Sequence, residues 1–568
     1  MKTTFYILLI FILSTTVACE NDILNLTPLD AVSEGAVWDD LDLVNLYVNA
    51  RYNELPHGFS KWAGGLRFTG ITDESYHQHE QPHLRKHTNG GLTSDNLFFF
   101  NGFWFDAYEA IRNNTILLEQ TETSELDADK ISQFRAEARY LRAYFYAELI
   151  SRYGGVPLIE STFQLEDDFS LERARYEDVV AFIIKELDLA IPDLLDRNKA
   201  VGEQFGRLTK GAGLALKART LLYAASPLNN QQNSTEKWSE VALACEALFE
   251  RNEYSLSGDY SGLFLNPSDP EVIFFKQFID EFGEETSNSP EGYYQYTGGH
   301  RIDEWRFPNG SGGWVSENPT QNFIDQYETL SGEIPVLGYT GSDDNLQPIL
   351  NPAATDYDPA RPYDNRDPRF AFSVYHDEAI FKGREIEMWN PGKDSRDPSV
   401  DFWWNGSVLS YGIRKSLDES WSFESNFGSQ QPWIYMRLSE FYLTYAEAQY
   451  HLGREDLARD YVNRIRARQG VNMPPIDASG LALLDKIKHE RKIELAFEGN
   501  RWYDARRWRD AEIDFSQSVI GLEVTKTATA KSYRFYVEET RSYPENHYVW
   551  PLPIQEILRS NLEQNPGY

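Results

Sequence analysis

Apolar residues recur at helical spacing through the first half of the chain. In the clearest stretch they lie three or four residues apart with charged residues between them, at Phe134, Ala138, Leu141, Phe145 and Leu149. This spacing places them on one face of an α-helix. Gly154-Gly155 follows directly, and glycine commonly ends helices. The pattern therefore predicts a long helix that stops near residue 153.

Similar patterns occur in both halves of the chain. They cover Trp104–Gln120, Tyr176–Leu195, Leu208–Ala225, Trp238–Glu250, Ile434–Leu452, Leu457–Arg468 and Leu483–Trp508. Several of these predicted helices are joined by short connections, as in helix-turn-helix repeats of the tetratricopeptide kind. Because no strict period is present, we predict irregular repeats. The expected fold is mainly α-helical, with the helices forming one curved scaffold.

The pattern changes between about residues 252 and 431. Gly, Pro, Asn, Ser, Trp and Tyr become frequent there and long helical patterns vanish, which indicates turns and loops. We predict an irregular, loop-rich subregion with few short strands, at Val272–Phe275 and near Tyr411–Lys415. Loops on a rigid scaffold commonly carry binding, so the ligand site is expected here.

These changes of pattern divide the chain into four parts. They are a signal peptide at 1–18, an N-terminal helical repeat part at 19–251, the loop-rich ligand-binding subregion at 252–431, and a C-terminal helical part at 432–568 that packs on the scaffold.

The amino terminus has the order of a signal peptide. Lys2 precedes an apolar run from Phe5 to Leu13, and small residues lead to Cys19. The run is too short to span a membrane, which takes about 20 apolar residues. Thr16–Cys19 resembles a lipobox, so we predict cleavage before Cys19 and acylation of its thiol and amine, palmitate included. The alternatives are a buried helix of the folded domain, or an ordinary signal peptide with a cysteine near its cut.

Charge and cysteine content narrow the function classes. The net charge of −34 argues against nucleic acid or anionic membrane surfaces as partners. Membrane contact is therefore expected through the lipid alone. With Cys19 acylated, Cys245 has no intrachain disulfide partner. Its apolar helical surroundings predict a buried structural thiol.

Catalytic motifs are weak in this chain. No Gly-x-Ser-x-Gly sequence is present, and 88 acidic residues make carboxylate pairs uninformative. We find no calcium-binding or phosphate-binding loop. We therefore expect neither an enzyme nor a cofactor.

One metalloprotease signature, H-E-x-x-H, occurs by letter at His79–His83. The motif works only on a helix, and Pro82 lies inside the required turn, where proline costs about 3 kcal/mol. The flanks from residue 75 to 89 are polar, so we interpret the segment as a loop with surface histidines. A metal site that includes His77, His87 or Asp73-Glu74 remains an alternative, but we expect none.

Aromatic residues are the better indication of function. They make up 14% of the chain, and flat rings beside a few polar groups suit a ligand site. The loop-rich part holds a large set, at Tyr293, Tyr294, Tyr296, Trp305, Trp314, Trp389, Trp403, Trp404 and Trp421. For any single ring, packing in the core is the alternative.

Motifs along the whole chain after the signal resemble the SusD/RagB family of outer-membrane nutrient-binding lipoproteins of Bacteroidetes-type bacteria. In family order they are Ala136–Tyr144, Tyr153–Leu158, Arg207–Lys210, Ala215–Arg219, Asn318–Phe323, Asn365–Arg369, Arg437–Glu440, Tyr445–Ala448, Glu490–Gly499, Arg501–Asp504 and Gln564–Tyr568. No single motif is decisive, and the order carries the resemblance.

The resemblance implies a cell-surface lipoprotein of the outer membrane. Such a protein captures a nutrient, here expected to be a glycan or oligosaccharide, and delivers it to a SusC-like TonB-dependent transporter. Two alternatives remain open. One is a peptide-binding member like the RagB branch, and the other is a helical-repeat adaptor without a ligand.

The resemblance also implies where the ligand lies. In the family, loops of the irregular subregion meet an early segment near an acidic pair, which Asp73-Glu74 resembles. The candidate residues are Asp73, Tyr76, Tyr294, Tyr296, Trp305 and Trp314. The chain departs from the expected pattern at His77 and His79, where a tryptophan platform is expected. The alternative for the two tryptophans is that they pin the loop to the scaffold.

Two charged motifs are interpreted as structural. Arg491, Glu494, Glu498 and Arg501 lie at helical spacing and are expected to form an ion-pair stripe on one face. The segment Arg366–Arg369 is expected to staple a loop.

Overall fold

The computed structural model describes residues 34–59, 65–78, 81–95, 97, 101–164, 166–167, 171–278, 302–396, 406–422, 429–560 and 562–568. Its α-helices are Glu34–Trp38, Leu41–Asn53, Gly65–Gly70, Gln81–Thr88, Asn101–Gln120, Ala128–Tyr153, Tyr176–Ala190, Lys210–Ala225, Thr235–Glu250, Ile302–Arg306, Gln321–Ile324, Pro368–Ser373, Leu438–His451, Glu455–Arg466, Leu481–Glu494, Asn500–Trp508, Ala511–Asp514 and Ile554–Ser560.

Helices dominate, and consecutive long helices pack on each other. The helix Ala128–Tyr153 packs against both Asn101–Gln120 and Tyr176–Ala190, and its Tyr140 and Leu141 are completely buried. The predicted mainly α fold is confirmed. Each helix must bury its apolar face against another element, and helices packed in layers bury these faces on each other.

The longest helix, Ala128–Tyr153, has a capping residue at its start and a glycine at its predicted end. The Asp127 carboxylate accepts a bond from the Lys130 amide at 2.9 Å, which satisfies a free N–H of the first turn. Gly154 stops the helix with a φ of 72°, a conformation that glycine adopts without a Cβ penalty. Cys245 is completely buried, as predicted.

Short strands form five small sheets among the described residues. The largest has the order Val336–Ser342, Asn345–Leu350, Lys531–Glu539, Val519–Lys526, Trp389–Asn390. The paired strands of the others are Ser75–His77 with Glu317–Pro319, Tyr411–Ile413 with Val374–His376, Trp433–Arg437 with Val272–Lys276, and Ile380–Phe381 with Arg384–Glu385. The strands predicted near residues 272 and 411 are confirmed.

Two predicted helices are wrong in part. Residues 434–437 belong to the strand Trp433–Arg437, because Val272–Lys276 supplies their backbone partners, and the helix begins only at Leu438. The helix predicted over 483–508 is broken after Glu494. Phe497 and Gly499 have φ values of 61° and 86° there, which a right-handed helix does not accommodate.

The predicted histidine loop is also wrong. Its described residues include the strand Ser75–His77 and the helix Gln81–Thr88, and Pro82 lies in the first helical turn, where proline is tolerated. His79 and Glu80 lie outside the described residues. His77 and His87 are buried, contrary to the expected surface position. Burial, followed by the charge of His547, lowers the pKa of His87 to about 3, so its ring is neutral and serves the core.

Candidate functional site

The early segment and the loop-rich part meet in a two-stranded sheet. Ser75–His77 pairs antiparallel with Glu317–Pro319, and Tyr76 lies opposite Asn318. The Thr320 hydroxyl donates to the Asp73 carbonyl at 2.6 Å. Strand pairing therefore joins two regions separated by about 240 residues, as the resemblance implied.

Trp305 and Trp314 lie on the loop-rich side of this sheet. Their ring centroids are 4.4 Å apart and the ring planes meet at 81°, an edge-to-face arrangement that aromatic pairs favour. Both side chains are partly exposed. A hydrogen bond of 2.8 Å from the Ser316 amide to the Trp305 carbonyl oxygen closes the turn that connects them.

Close backbone packing shapes this turn. A Cβ on Gly313 would lie 2.2 Å from the carbonyl oxygen of Phe307. Only glycine allows that approach. The chain can therefore fold back sharply enough for Trp314 to reach Trp305.

Gln78 connects the turn to two other segments. Its amide nitrogen donates to the carbonyl oxygens of Trp314 at 3.3 Å and Gly406 at 3.0 Å. Its amide oxygen accepts bonds from the Asn318 side chain at 3.1 Å and the Val408 amide at 3.2 Å. Gln78 therefore links the turn that carries Trp314 to the strand residue Asn318 and to the segment 406–408. The sequence analysis missed Gln78 because nothing local distinguishes one glutamine in a polar stretch.

Two charged residues beside the tryptophans are already used within the fold. Arg306 is 2% exposed and pairs with Glu317 at 2.8 Å. Asp303 is completely buried and accepts a bond from the Asp418 amide at 2.9 Å. Burial, partly offset by the bonds from Ser429 and Gln431, raises the pKa of Asp303 to about 6. Both side chains hold the loop in place.

Asp73 also has a partner inside the protein. Its two carboxylate oxygens accept bonds from Arg501 at 2.7 and 2.9 Å, and 11% of the side chain is exposed. Burial raises the pKa of Asp73, but the charges of Arg501 and Lys492 outweigh it and lower the pKa to about 2. A carboxylate in this setting is ionised at neutral pH.

Tyr76 is buried under the C-terminal hairpin. It is 6% exposed and packs with Leu409 and Val519, and its hydroxyl donates to Glu538 at 3.2 Å. The structure therefore brings Asp73, Tyr76 and the tryptophan loop into one neighbourhood. Tyr294, Tyr296, Trp403, Trp404 and Cys19 lie outside the described residues, and their roles stay predictions.

The predicted ion-pair stripe is wrong in its pairing. Arg491 bonds Asp504 at 2.7 Å, Glu494 bonds Arg437 at 2.6 Å, and Arg501 bonds Asp73. The break after residue 494 places Arg501 in a different helix from Arg491 and Glu494, so a single stripe cannot form. The loop staple is confirmed, since Arg366 donates to the Ile324 and Tyr327 carbonyl oxygens at 2.7 and 2.8 Å.

The described residues contain neither a membrane-spanning helix nor a metal-binding cluster. In the part of the chain that the structure describes, every helix is too short or too polar to cross a bilayer. The same residues contain no group of three or more His, Cys, Asp or Glu side chains placed to hold a metal ion.

Relatives of known sequence resemble most of the chain. SusD-like protein P25 of Formosa agariphila is 24% identical over 480 residues, covering 82% of this chain and 79% of its own length. A SusD-like protein of Bacteroides ovatus is 24% identical over 421 residues, covering 72% of this chain and 65% of its own.

Solved structures share the fold over nearly the whole chain. A SusD-like protein of Bacteroides fragilis superposes with a TM-score of 0.77 at 25% identity, covering 96% of this chain and all of that one. A second structure from the same organism, described as a SusD-like carbohydrate binding protein, gives 0.74 at 24% identity, with 92% and 98% coverage.

Two family descriptions match consecutive parts of the sequence. Residues 44–222 match a family described as "Starch-binding associating with outer membrane". Residues 270–568, more than half of the chain, match the SusD family. This chain therefore belongs to the SusD family.

Proposed function

We propose that this protein captures a glycan or oligosaccharide outside the cell and delivers it to a SusC-like TonB-dependent transporter of the outer membrane. Support comes from the family description for residues 44–222, which names starch binding and the outer membrane. It also comes from relatives of the same fold, one described as carbohydrate binding and another as laminarin binding.

The observation that carries the proposal is the partly exposed pair of Trp305 and Trp314. An aromatic face stacks on the apolar face of a sugar ring, and two rings at 81° offer one face and one edge to a ligand. The Gln78 side chain bonds the backbone carbonyl of Trp314, and the Ser316 amide bonds that of Trp305, so little ordering is needed on binding. Rigid support of this kind lowers the cost of association.

The remaining candidate residues extend the proposed surface. Tyr294 and Tyr296 precede the tryptophans in the same loop-rich part and are proposed as further ring platforms. Only 11% of the Asp73 side chain remains exposed beside Arg501. A ligand hydroxyl would donate a hydrogen bond to this exposed part of the carboxylate. Tyr76 is proposed to support this edge from below.

The proposed protein binds and does not catalyse. No cofactor, metal or nucleic acid takes part. Its signal peptide at 1–18 is removed, and lipid on Cys19 holds it to the outer membrane with the folded part facing outward. In this proposal residues 19–251 form the helical scaffold, residues 252–431 bind the ligand, and residues 432–568 pack on the scaffold.

A glycan array with a peptide library beside it tests the proposal. We expect a neutral glycan to bind, and Trp305→Ala and Trp314→Ala each to cost about 2 kcal/mol or more of affinity. Trp38→Ala is the matched control, because Trp38 is also partly exposed and packs edge-to-face, on Tyr47 at 5.0 Å. It should leave affinity unchanged.

The alternatives give different results. Peptide binding without glycan binding would favour the RagB-like reading, and no binding at all would favour an adaptor. If both tryptophan variants melt far below the wild-type protein, or bind as it does, the surface is assigned wrongly.

A further inference from the structure

Val315, the residue after Trp314, has a backbone conformation that its own side chain disfavours. Its φ is 46°, in the left-handed region, where a residue branched at Cβ is an outlier. The side chain is completely buried and packs with Phe307 and Tyr375, while the neighbouring Trp314 is partly exposed. Such a conformation persists only where the surrounding structure determines it, so specific contacts must hold this backbone.

Both peptide planes beside the Val315 Cα are fixed by hydrogen bonds. The φ and ψ angles of a residue describe how these two planes are rotated about its Cα. In the plane before Val315, the Trp314 carbonyl oxygen accepts a bond from the Gln78 side chain at 3.3 Å. In the plane after it, the Val315 carbonyl oxygen accepts a bond from the Asn318 side chain at 3.0 Å. The N–H of that second plane donates to the Trp305 carbonyl oxygen at 2.8 Å. These bonds together determine the left-handed conformation.

The Asn318 side chain is completely buried and uses all of its hydrogen-bonding capacity. Its Nδ2 donates to the Val315 carbonyl oxygen and to Gln78 Oε1, the second bond at 3.1 Å. Its Oδ1 accepts bonds from the Ser407 hydroxyl and from the Leu409 amide, the second at 3.3 Å. An amide side chain has two donor hydrogens and two acceptor lone pairs, so all four positions are filled. Because its backbone also lies in a paired strand, this side chain is held in one orientation.

We infer that Asn318 is a positioning residue of the ligand surface, with Gln78 as its partner. By holding the left-handed backbone of Val315, the two amides set the angle at which Trp314 meets Trp305. Because Asn318 is completely buried, it acts through the tryptophans and does not touch the ligand. The inference rests on the proposed function, in which this ring pair binds a glycan. A ring pair that is already in place loses less freedom on association, and so binds more tightly.

Asn318→Asp tests this role with a side chain of the same shape. The carboxylate keeps the acceptor Oδ1 but loses both donor hydrogens, and its second oxygen faces the Val315 carbonyl oxygen and Gln78 Oε1. We expect the folded variant to bind glycan more weakly by roughly tenfold or more. Gln78→Glu loses the donor to the Trp314 carbonyl oxygen and should weaken binding in the same way. This second variant carries the test if Asn318→Asp does not fold.

Circular dichroism reports the geometry of the ring pair without any ligand. Two indole rings 4.4 Å apart couple their electronic transitions and give paired bands of opposite sign, whose size depends on the orientation of the rings. Bands that both Trp305→Ala and Trp314→Ala remove belong to the pair. Asn318→Asp and Gln78→Glu should lose most of this signal while the helical part of the spectrum is unchanged. A residue that only stabilised the fold would lower the melting temperature and leave the paired bands in place.

Asn322→Asp is the matched control, because it makes the same chemical change close by. Among the described residues its side chain takes part in one hydrogen bond, from the Ile520 amide to Oδ1 at 2.9 Å, and the carboxylate keeps that acceptor. The paired bands and the affinity should both stay as in the wild-type protein.

The outcomes separate this inference from the proposed function. Wild-type bands in both Asn318→Asp and Gln78→Glu, or a wild-type protein without paired bands, would overturn the inference whatever the array finds. Loss of the bands with unchanged glycan affinity would overturn it as well. Loss of the bands in both variants of a protein that binds no glycan would support the positioning of the rings and contradict the proposed function.

Discussion

Buried charges at the residue scale hold the C-terminal helices to the rest of the fold. Arg437 is 1% exposed and bonds Glu271 at 2.7 Å and Glu494 at 2.6 Å. Arg369 is equally buried and bonds Glu490 at 2.5 Å and Glu494 at 3.0 Å. Removing charges from water is costly, so such a network is stable only when every member is paired.

Arg369→Met should therefore be strongly destabilising. It leaves Glu490, Glu494 and Asp367 without one shared partner, and breaking a buried pair costs about 3–5 kcal/mol. Urea unfolding measures the change. The control is Arg534→Met, because Arg534 and its partner Glu523 are 46% and 42% exposed and such pairs contribute about 1 kcal/mol or less. Equal losses in the two variants would contradict the role of the network.

Glu74 predicts a pH dependence of stability. It is 1% exposed and accepts a bond from the Phe497 amide at 2.8 Å. Burial is the main influence and raises the pKa of Glu74 from 4.5 to about 8. Between these two pKa values the folded protein holds the proton more tightly than the unfolded chain. The contribution of Glu74 to the free energy of unfolding therefore falls as pH rises through this window.

Glu74→Gln should remove this dependence while keeping the acceptor oxygen. From pH 5 to pH 8, the free energy of unfolding of the variant should rise relative to that of the wild-type protein by on the order of 2–4 kcal/mol, since one pKa unit corresponds to about 1.4 kcal/mol. Urea unfolding at both pH values gives the difference. A constant difference between the two proteins would show that Glu74 is ionised in the fold at pH 5.

At the element scale, the turn that carries Trp314 depends on Gly313. Gly313→Ala would place a methyl group against the Phe307 carbonyl at 2.2 Å. The turn must shift, and overpacking of this kind costs about 1–3 kcal/mol. We expect lower stability in urea and weaker glycan binding. Gly35→Ala is the control, because nothing lies within 4 Å of its added Cβ. Wild-type behaviour of Gly313→Ala would mean that the turn is not a rigid support.

At the scale of the whole molecule, the proposed function requires a partner that moves the solute across the membrane. Mild-detergent purification from the native host should recover a stable complex with a β-barrel transporter much larger than this 65.5 kDa chain. Mass spectrometry of the complex identifies the partner. Cys19→Ser lacks the predicted site of acylation. The same purification of this variant shows whether the two proteins stay together by direct binding or only because both are held in the membrane. Repeated recovery of the lone protein would argue against delivery to a transporter.

The sequence by itself determined the elements whose causes are local. Helical spacing and the Gly154 stop located the helix Ala128–Tyr153, because a helix bonds within its own segment. Family motifs in order identified the SusD family and the mainly α fold. The pairing of the segment at residue 75 with the tryptophan loop was implied by the family resemblance and not by any local pattern.

Only the tertiary structure decided the features that depend on distant partners. Residues 434–437 form a strand because Val272–Lys276 supplies their hydrogen bonds, although their own pattern favoured a helix. The Asp73 carboxylate pairs with Arg501, 428 residues away. Burial and pairing at these positions are set by which segments meet in space, and neither periodicity nor residue type records that.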